Sequence, residues 1–165
     1  MRKLFNLVLV FFAITSPLLA QKPAALEKDA SKEVMSVVQR LFDAMRMGEV
    51  ATVRAVFIPE GQLVSTTLRD GQPTTRVLTL DAFAKLVNDA KDPFIERMFK
   101  PKVRVYGDLA TVEGRYDFHV GQRLTNCGIN AFQLARTPDG WKIAHVASTI
   151  LTKGCEGQSK QQEAK

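Results

Sequence analysis

The chain has 165 residues, 45% of them hydrophobic and 24% charged, with a formal net charge of +6. That length allows one domain, large enough to bury a core without staples. The charge excess is mild. Its one cluster, Lys100, Lys102 and Arg104 with Arg97, reads as a solvated face, which argues against nucleic-acid binding.

Residues 1–20 read as an export signal. Arg2 and Lys3 form a positive start, residues 4–14 are apolar apart from Asn6, and Leu18-Leu19-Ala20 places a small residue before Gln21. The apolar run is too short to span a bilayer comfortably, though an uncleaved anchor is the alternative. Cleavage after Ala20 removes two positive charges and predicts a periplasmic or secreted protein with no membrane attachment. Residues 21–30 read as a flexible leader, residues 31–155 as the folded domain, and residues 156–165 as a disordered polar tail.

Ser31 is placed to cap a first helix. Val34, Val37, Val38, Leu41, Phe42 and Met45 then recur at helical spacing, and Gly48 is a natural stop. A short second helix follows over 49–57. Segments 63–68 and 76–80 read as strands around the turn-rich Asp70-Gly71-Gln72-Pro73. Asp81 is placed to cap a third helix carrying Phe83, Leu86 and Val87, which Asp92-Pro93 ends. From Lys102 onward the pattern is strand. Val103 and Val105 alternate with charge, Gly107-Asp108 turns the chain, and Ala110, Val112, Tyr116 and Phe118 alternate with polar residues. Helices early and strands late predict an α+β fold, with helices on one face of an antiparallel sheet.

Thr137-Pro138-Asp139-Gly140 carries strong turn chemistry. A three-residue loop there pairs Thr137 with Trp141, Leu134 with Ala144, Gln133 with His145 and Asn130 with Ser148. Both faces of this hairpin are substantially apolar. One face should meet the helices and the other a second subunit, which predicts a homodimer through the sheet. Two cysteines in an exported chain suggest one disulfide, with two buried free thiols as the alternative. In the hairpin register Cys127 lies opposite Leu151, and Cys155 would be about 13 Å further along a continuing strand. A Cys127–Cys155 bond therefore requires the chain to bend after Leu151, for which Thr152-Lys153-Gly154 is suited.

Gly-Asp-Leu-Ala-Thr-Val at 107–112, Tyr-Asp-Phe-His at 116–119, Cys-Gly-Ile-Asn-Ala-Phe-Gln-Leu at 127–134, Asp-Gly-Trp-Lys-Ile at 139–143 and Cys155 follow in order. This set resembles the NTF2-like superfamily, also called SnoaL-like, and within it the small exported bacterial branch that carries a lumazine-binding label. The resemblance spans 31–155. It implies a curved sheet wrapped around a long helix as a cone with a pocket, and it matches Cys127 and Cys155 to that branch's own pair. Relatives include ketosteroid isomerases, scytalone dehydratase, polyketide cyclases and non-catalytic assembly or transport domains, so fold does not name the reaction.

His145 is the leading pocket candidate, since Trp-Lys-Ile-Ala-His resembles a run on the last strand of several relatives whose histidine tends to face the cavity. Gln133 opposite it, Tyr116 and Asn130 complete the candidate ligand-binding set; for His145 and Tyr116 a structural role is the competing reading. Asp117 and His119 share the opposite strand face and read as solvated. No His or Cys spacing resembles a metal site, and no cofactor is expected. The isomerase-type relatives need a carboxylate base with buried donors. Here the first helix offers Phe42 and no Tyr, and strand 126–136 carries Asn130 in place of an acid. Asp43 and Glu60 remain as possible acids, with surface charge as the competing reading, while Glu96 and Arg97 could pair with each other or hold the end of the third helix. The expected function is binding of a small, partly apolar ligand without catalysis. The alternatives are a cyclase, dehydratase or isomerase using His145 as acid/base, and a dimeric interaction module.

Overall fold

In the computed structural model the chain is described from residue 24 to residue 155. The expected export signal and tail lie outside the described residues. Helix α1 runs from Ala24 to Met47, starting well before Ser31, the expected cap. Residues 24–30, rich in Ala, Leu, Glu and Lys, favour helix strongly enough to extend it into the expected leader. The inward stripe is as read: Val34, Val38, Leu41, Phe42 and Met45 are all buried. Gly48, at φ +71°, stops the helix in a left-handed conformation that costs glycine little.

Helix α2 (Val50–Val56) buries Val53 and Val56. Strands β1 (Phe57–Arg69) and β2 (Gln72–Thr79) form a hairpin closed by Asp70 and Gly71, both at positive φ, as a two-residue primed turn requires. Helix α3 (Leu80–Asp89) is capped by Thr79, whose Oγ1 accepts from the Ala82 N–H at 3.2 Å. Asp81, expected as the cap, sits in the first turn and pairs with Arg54 of α2. An acid there complements the helix dipole in any case.

Strands β3 (Phe94–Tyr106), β4 (Leu109–Val120), β5 (Arg123–Thr137) and β6 (Gly140–Ile150) complete a curved, open six-stranded sheet in the order β2-β1-β6-β5-β4-β3. Neighbours are antiparallel except β1 and β6, which run parallel. The architecture is the expected α+β cone. The sheet's register sets Leu78, Leu63, Val146, Phe132, Val112 and Val103 in one transverse row. Helix α1 lies over this concave face, and Phe42 meets Phe132 edge-on at 6.0 Å.

The β5–β6 hairpin departs from the expected register at its tip. Thr137 pairs with Gly140 across a two-residue loop, and Leu134 pairs with Ile143. Thr137 closes the turn itself: its Oγ1 accepts from the Asp139 N–H and donates to the Gly140 carbonyl. Ala144 is then the extra residue of a bulge, after which Gln133–His145 and Asn130–Ser148 pair as expected. The bulge switches the strand's phase. Trp141 and Ile143 on one side of it and Val146 on the other all point into the core. Beyond the hairpin, Cys127 and Leu151 exchange both backbone hydrogen bonds, and Gly154 at φ +74° turns the chain back. The bend brings Cys155 to 5.6 Å from Cys127 (Cα–Cα), and the two are disulfide-bonded.

Candidate ligand-binding site

The open end of the cone holds a cavity of about 260 Å³ between the sheet and α3. Its walls are mostly apolar: Leu63 and Leu78 from the β1–β2 hairpin, Phe83 and Leu86 from α3, Phe94 and Phe118 from β3 and β4, and Ile150 from β6. Period-two alternation explains the selection. On β3, Phe94 and Glu96 point in while Ile95 and Arg97 point out; on β4, Tyr116 and Phe118 point in while Asp117 and His119 point out.

Polar groups reach the cavity from all six strands. Glu96 receives a hydrogen bond at Oε1 from the Asn130 side-chain N–H, and Asn130 Oδ1 accepts from Ser148 Oγ at 2.7 Å. Asn130 is 1% exposed and held on both sides. Glu96 keeps some surface open to the cavity. Burial nevertheless pushes its carboxyl up to about 7, against the lowering effect of the Asn130 bond and with a small further rise from the negative Asp117. Near neutral pH this carboxyl is therefore divided between a donor and an acceptor form. Tyr116 is buried, and its hydroxyl lies 2.9 Å from Asn126 Oδ1 and 3.0 Å from the Thr149 carbonyl. Burial, reinforced by the nearby Glu96, raises its pKa and keeps it protonated. Its proton is committed to the wall, so the phenol braces the site and does not donate into it.

Of the residues singled out from sequence, Tyr116 and Asn130 line the cavity and His145 and Gln133 do not. The last two pair across β5 and β6 as expected, but their row faces the outside of the sheet, with Gln62 beside His145 and Gln133 exposed. The face is set by parity: Asn130, Phe132, Val146 and Ser148 take the concave side, which leaves the odd-numbered neighbours outside. Asp43 bonds Arg46 on α1, and Glu60 is exposed; neither lines the cavity.

The acid that β5 lacks comes from β3 instead. Glu96 and Arg97 do not pair, because neighbours on a strand face opposite ways. Arg97 instead crosses to Asp117, with Nε 2.9 Å from Oδ1 and a second bond from its terminal nitrogen. Asp117, expected to be solvated, is 3% exposed beneath that clamp, with His119 at 3.5 Å. No local pattern announced Glu96: residues 94–99, Phe-Ile-Glu-Arg-Met-Phe, come as apolar, charged and apolar pairs, without the alternation of a half-buried strand. Among the described residues no group of His, Cys, Asp and Glu is arranged to hold a metal ion, and no helix is long and apolar enough to cross a membrane.

Three comparisons bear on this geometry. No curated protein matches the chain. Among solved structures, a candidate dehydratase of the NTF2-like family from Streptomyces avermitilis is similar with a TM-score of 0.60 at 20% identity, over 75% of this chain and 97% of that one. A protein of unknown function from Mycobacterium tuberculosis is similar with a TM-score of 0.64 at 14% identity, over 80% and 78%. The beta subunit of a candidate aromatic-ring-hydroxylating dioxygenase from Novosphingobium aromaticivorans follows with 0.61 at 12%, over 76% and 91%. At these identities the likeness is one of fold. The SnoaL-like domain pattern matches residues 27–147, nearly the whole described region, and with the six-stranded cone it establishes that the chain belongs to the SnoaL-like family.

Proposed function

We propose that this domain binds a small, partly apolar molecule in the open end of its cone. The observation that carries the reading is the contrast within the cavity: apolar walls from six elements enclose one braced polar cluster, Glu96–Asn130–Ser148. Such pockets bind through apolar area and orient their ligand through a few placed polar groups. Native mass spectrometry of protein purified from its own source tests this. The expected result is a bound small molecule that Leu78→Trp, which fills the cavity, displaces. A ligand that stays bound to the filled variant overturns the reading.

A second reading is favoured by Glu96 itself. A carboxyl poised near 7 beside apolar surface suits proton transfer at neutral pH. Glu96 replaces His145 as the acid/base in this reading. Once a substrate is in hand, Glu96→Gln should lower turnover by about 100-fold or more while leaving affinity within a few-fold. Unchanged turnover rules Glu96 out as the base.

Export and pairing belong to the same proposal. The disulfide supports export, because paired cysteines persist in oxidising compartments. A mature protein starting at Gln21, read by intact mass, is the expected result; a mature mass that retains residues 1–20 contradicts cleavage. Exposed Ile129 and Leu151 on the sheet's outer face support a homodimer there. Sedimentation should give twice the chain mass, and a monomer at high concentration overturns it.

A further inference from the structure

Resting on the cavity reading above, the geometry points to a ligand class: an amphipathic organic acid whose anionic end is held by Arg76. The argument starts from the sheet's register. Arg76 on β2 stands opposite Ser65 on β1, Ser65 opposite Ser148 on β6, Ser148 opposite Asn130 on β5, and Asn130 opposite Gly114 on β4. Arg76, Ser65, Ser148 and Asn130 therefore form one polar row across the concave face, and all four line the cavity. The adjacent row, Leu78 through Phe132, is apolar throughout.

Three strand spacings separate the ends of this row, about 14 Å between Cα atoms along the sheet. The two ends differ in chemistry. At Asn130 the bonding capacity is largely used: its carbonyl oxygen holds Ser148, and one N–H holds Glu96. At the other end Arg76 is exposed on the edge strand at the cavity mouth. Among the described residues it has no carboxylate partner, unlike Arg54, Arg97, Arg104 and Arg136. A guanidinium at the mouth of an apolar cavity suits a carboxylate, which it can engage with two parallel hydrogen bonds while the ligand's body enters among the aromatic rings. Gly114 extends the row without a side chain, and a Cβ there would meet Met98 at 3.0 Å. The apolar body lies beside the polar row, against Leu63, Leu78 and the phenyl rings, with its acid end outward and any hydroxyl or carbonyl directed at Glu96 and the remaining Asn130 N–H.

Phenylbutyrate and phenylbutanol share an apolar body and differ in the charge of one end. Calorimetric titration of both into the full-length protein, and into Arg76→Gln, tests the inference. The acid is expected to bind about tenfold or more tightly than the alcohol, a preference that weakens with added salt. Arg76→Gln should reduce the acid to the affinity of the alcohol. Equal affinity of the two probes, or a preference for the acid that survives Arg76→Gln, overturns the inference and leaves the cavity reading intact. Failure of both probes to bind overturns the cavity reading with it. An unchanged melting temperature of Arg76→Gln, expected for an exposed edge position, confirms that the variant is folded.

Discussion

Glu96 is the residue on which the site's chemistry turns, and its burial has a consequence that can be measured without a ligand. Its carboxyl titrates near 4.5 when unfolded and near 7 when folded. Between those values the folded state holds more protons than the unfolded state. Stability therefore falls as pH rises through this window and is lower by up to about 3 kcal/mol above it. Glu96→Gln keeps the acceptor that Asn130 needs and removes the charge. Urea titrations at pH 5 and pH 8 should show the parent losing stability at the higher pH and the variant losing less; an equal slope in both assigns the pH dependence elsewhere. The residue scale is also where sequence reading was least complete. Tyr116 and Asn130 were legible because they sit in a block with clear turns. His145 was placed on the right pair and the wrong face, because resemblance to a histidine-bearing strand does not report on parity. Glu96 was hidden behind Pro93, read as the end of a helix and not as the start of a strand.

Among the elements, β6 shows how closely one strand is fitted to its neighbours. At Gly128 of β5 a Cβ would fall 1.9 Å from the Thr149 carbonyl oxygen and 2.9 Å from its hydroxyl. That carbonyl is also within reach of the Tyr116 hydroxyl, and Thr149 Oγ1 accepts from the Ile129 N–H at 3.0 Å. Gly128→Ala should lower stability by at least about 3 kcal/mol, since backbone atoms on both strands would have to part. Gly71→Ala, at positive φ but with open space around it, should cost only about 1 kcal/mol. Thermal melts of the two variants check the contrast, and similar losses would remove close packing as the cause. Helix existence and the late strands were legible from periodicity. The boundaries were not: the start of α1 rests on propensity outrunning a plausible cap, and the bulge at Ala144 follows from packing Trp141, Ile143 and Val146 on one side, which no local pattern announces.

At the scale of the whole molecule, the disulfide closes a separation of 28 residues around the β5–β6 hairpin. The chain-entropy argument gives such a cross-link about 3–4 kcal/mol of stabilisation. The Cys127→Ser, Cys155→Ser double variant should lose roughly that much in denaturant while keeping its fold, because Cys127 and Leu151 still exchange backbone hydrogen bonds. A double variant as stable as the parent would mean that the loop is equally constrained without the bond. The α+β layout and the cone were legible from the order of helices and strands together with the family resemblance. The parallel pairing of β1 with β6 was not, since two strands so distant in sequence carry no shared local signal.

That same bond determines where the chain leaves the domain. Cys127 shares the outer side of β5 with Ile129, and the segment that returns to it ends at Cys155 on the surface facing away from the cavity. Whatever follows residue 155 starts from the back of the sheet. A tag attached there would orient the protein on a sensor chip with the cone mouth outward and Arg76 accessible to analyte. It would also occupy the face offered for self-association, so affinity is best read on the tethered protein and subunit number on the untethered one.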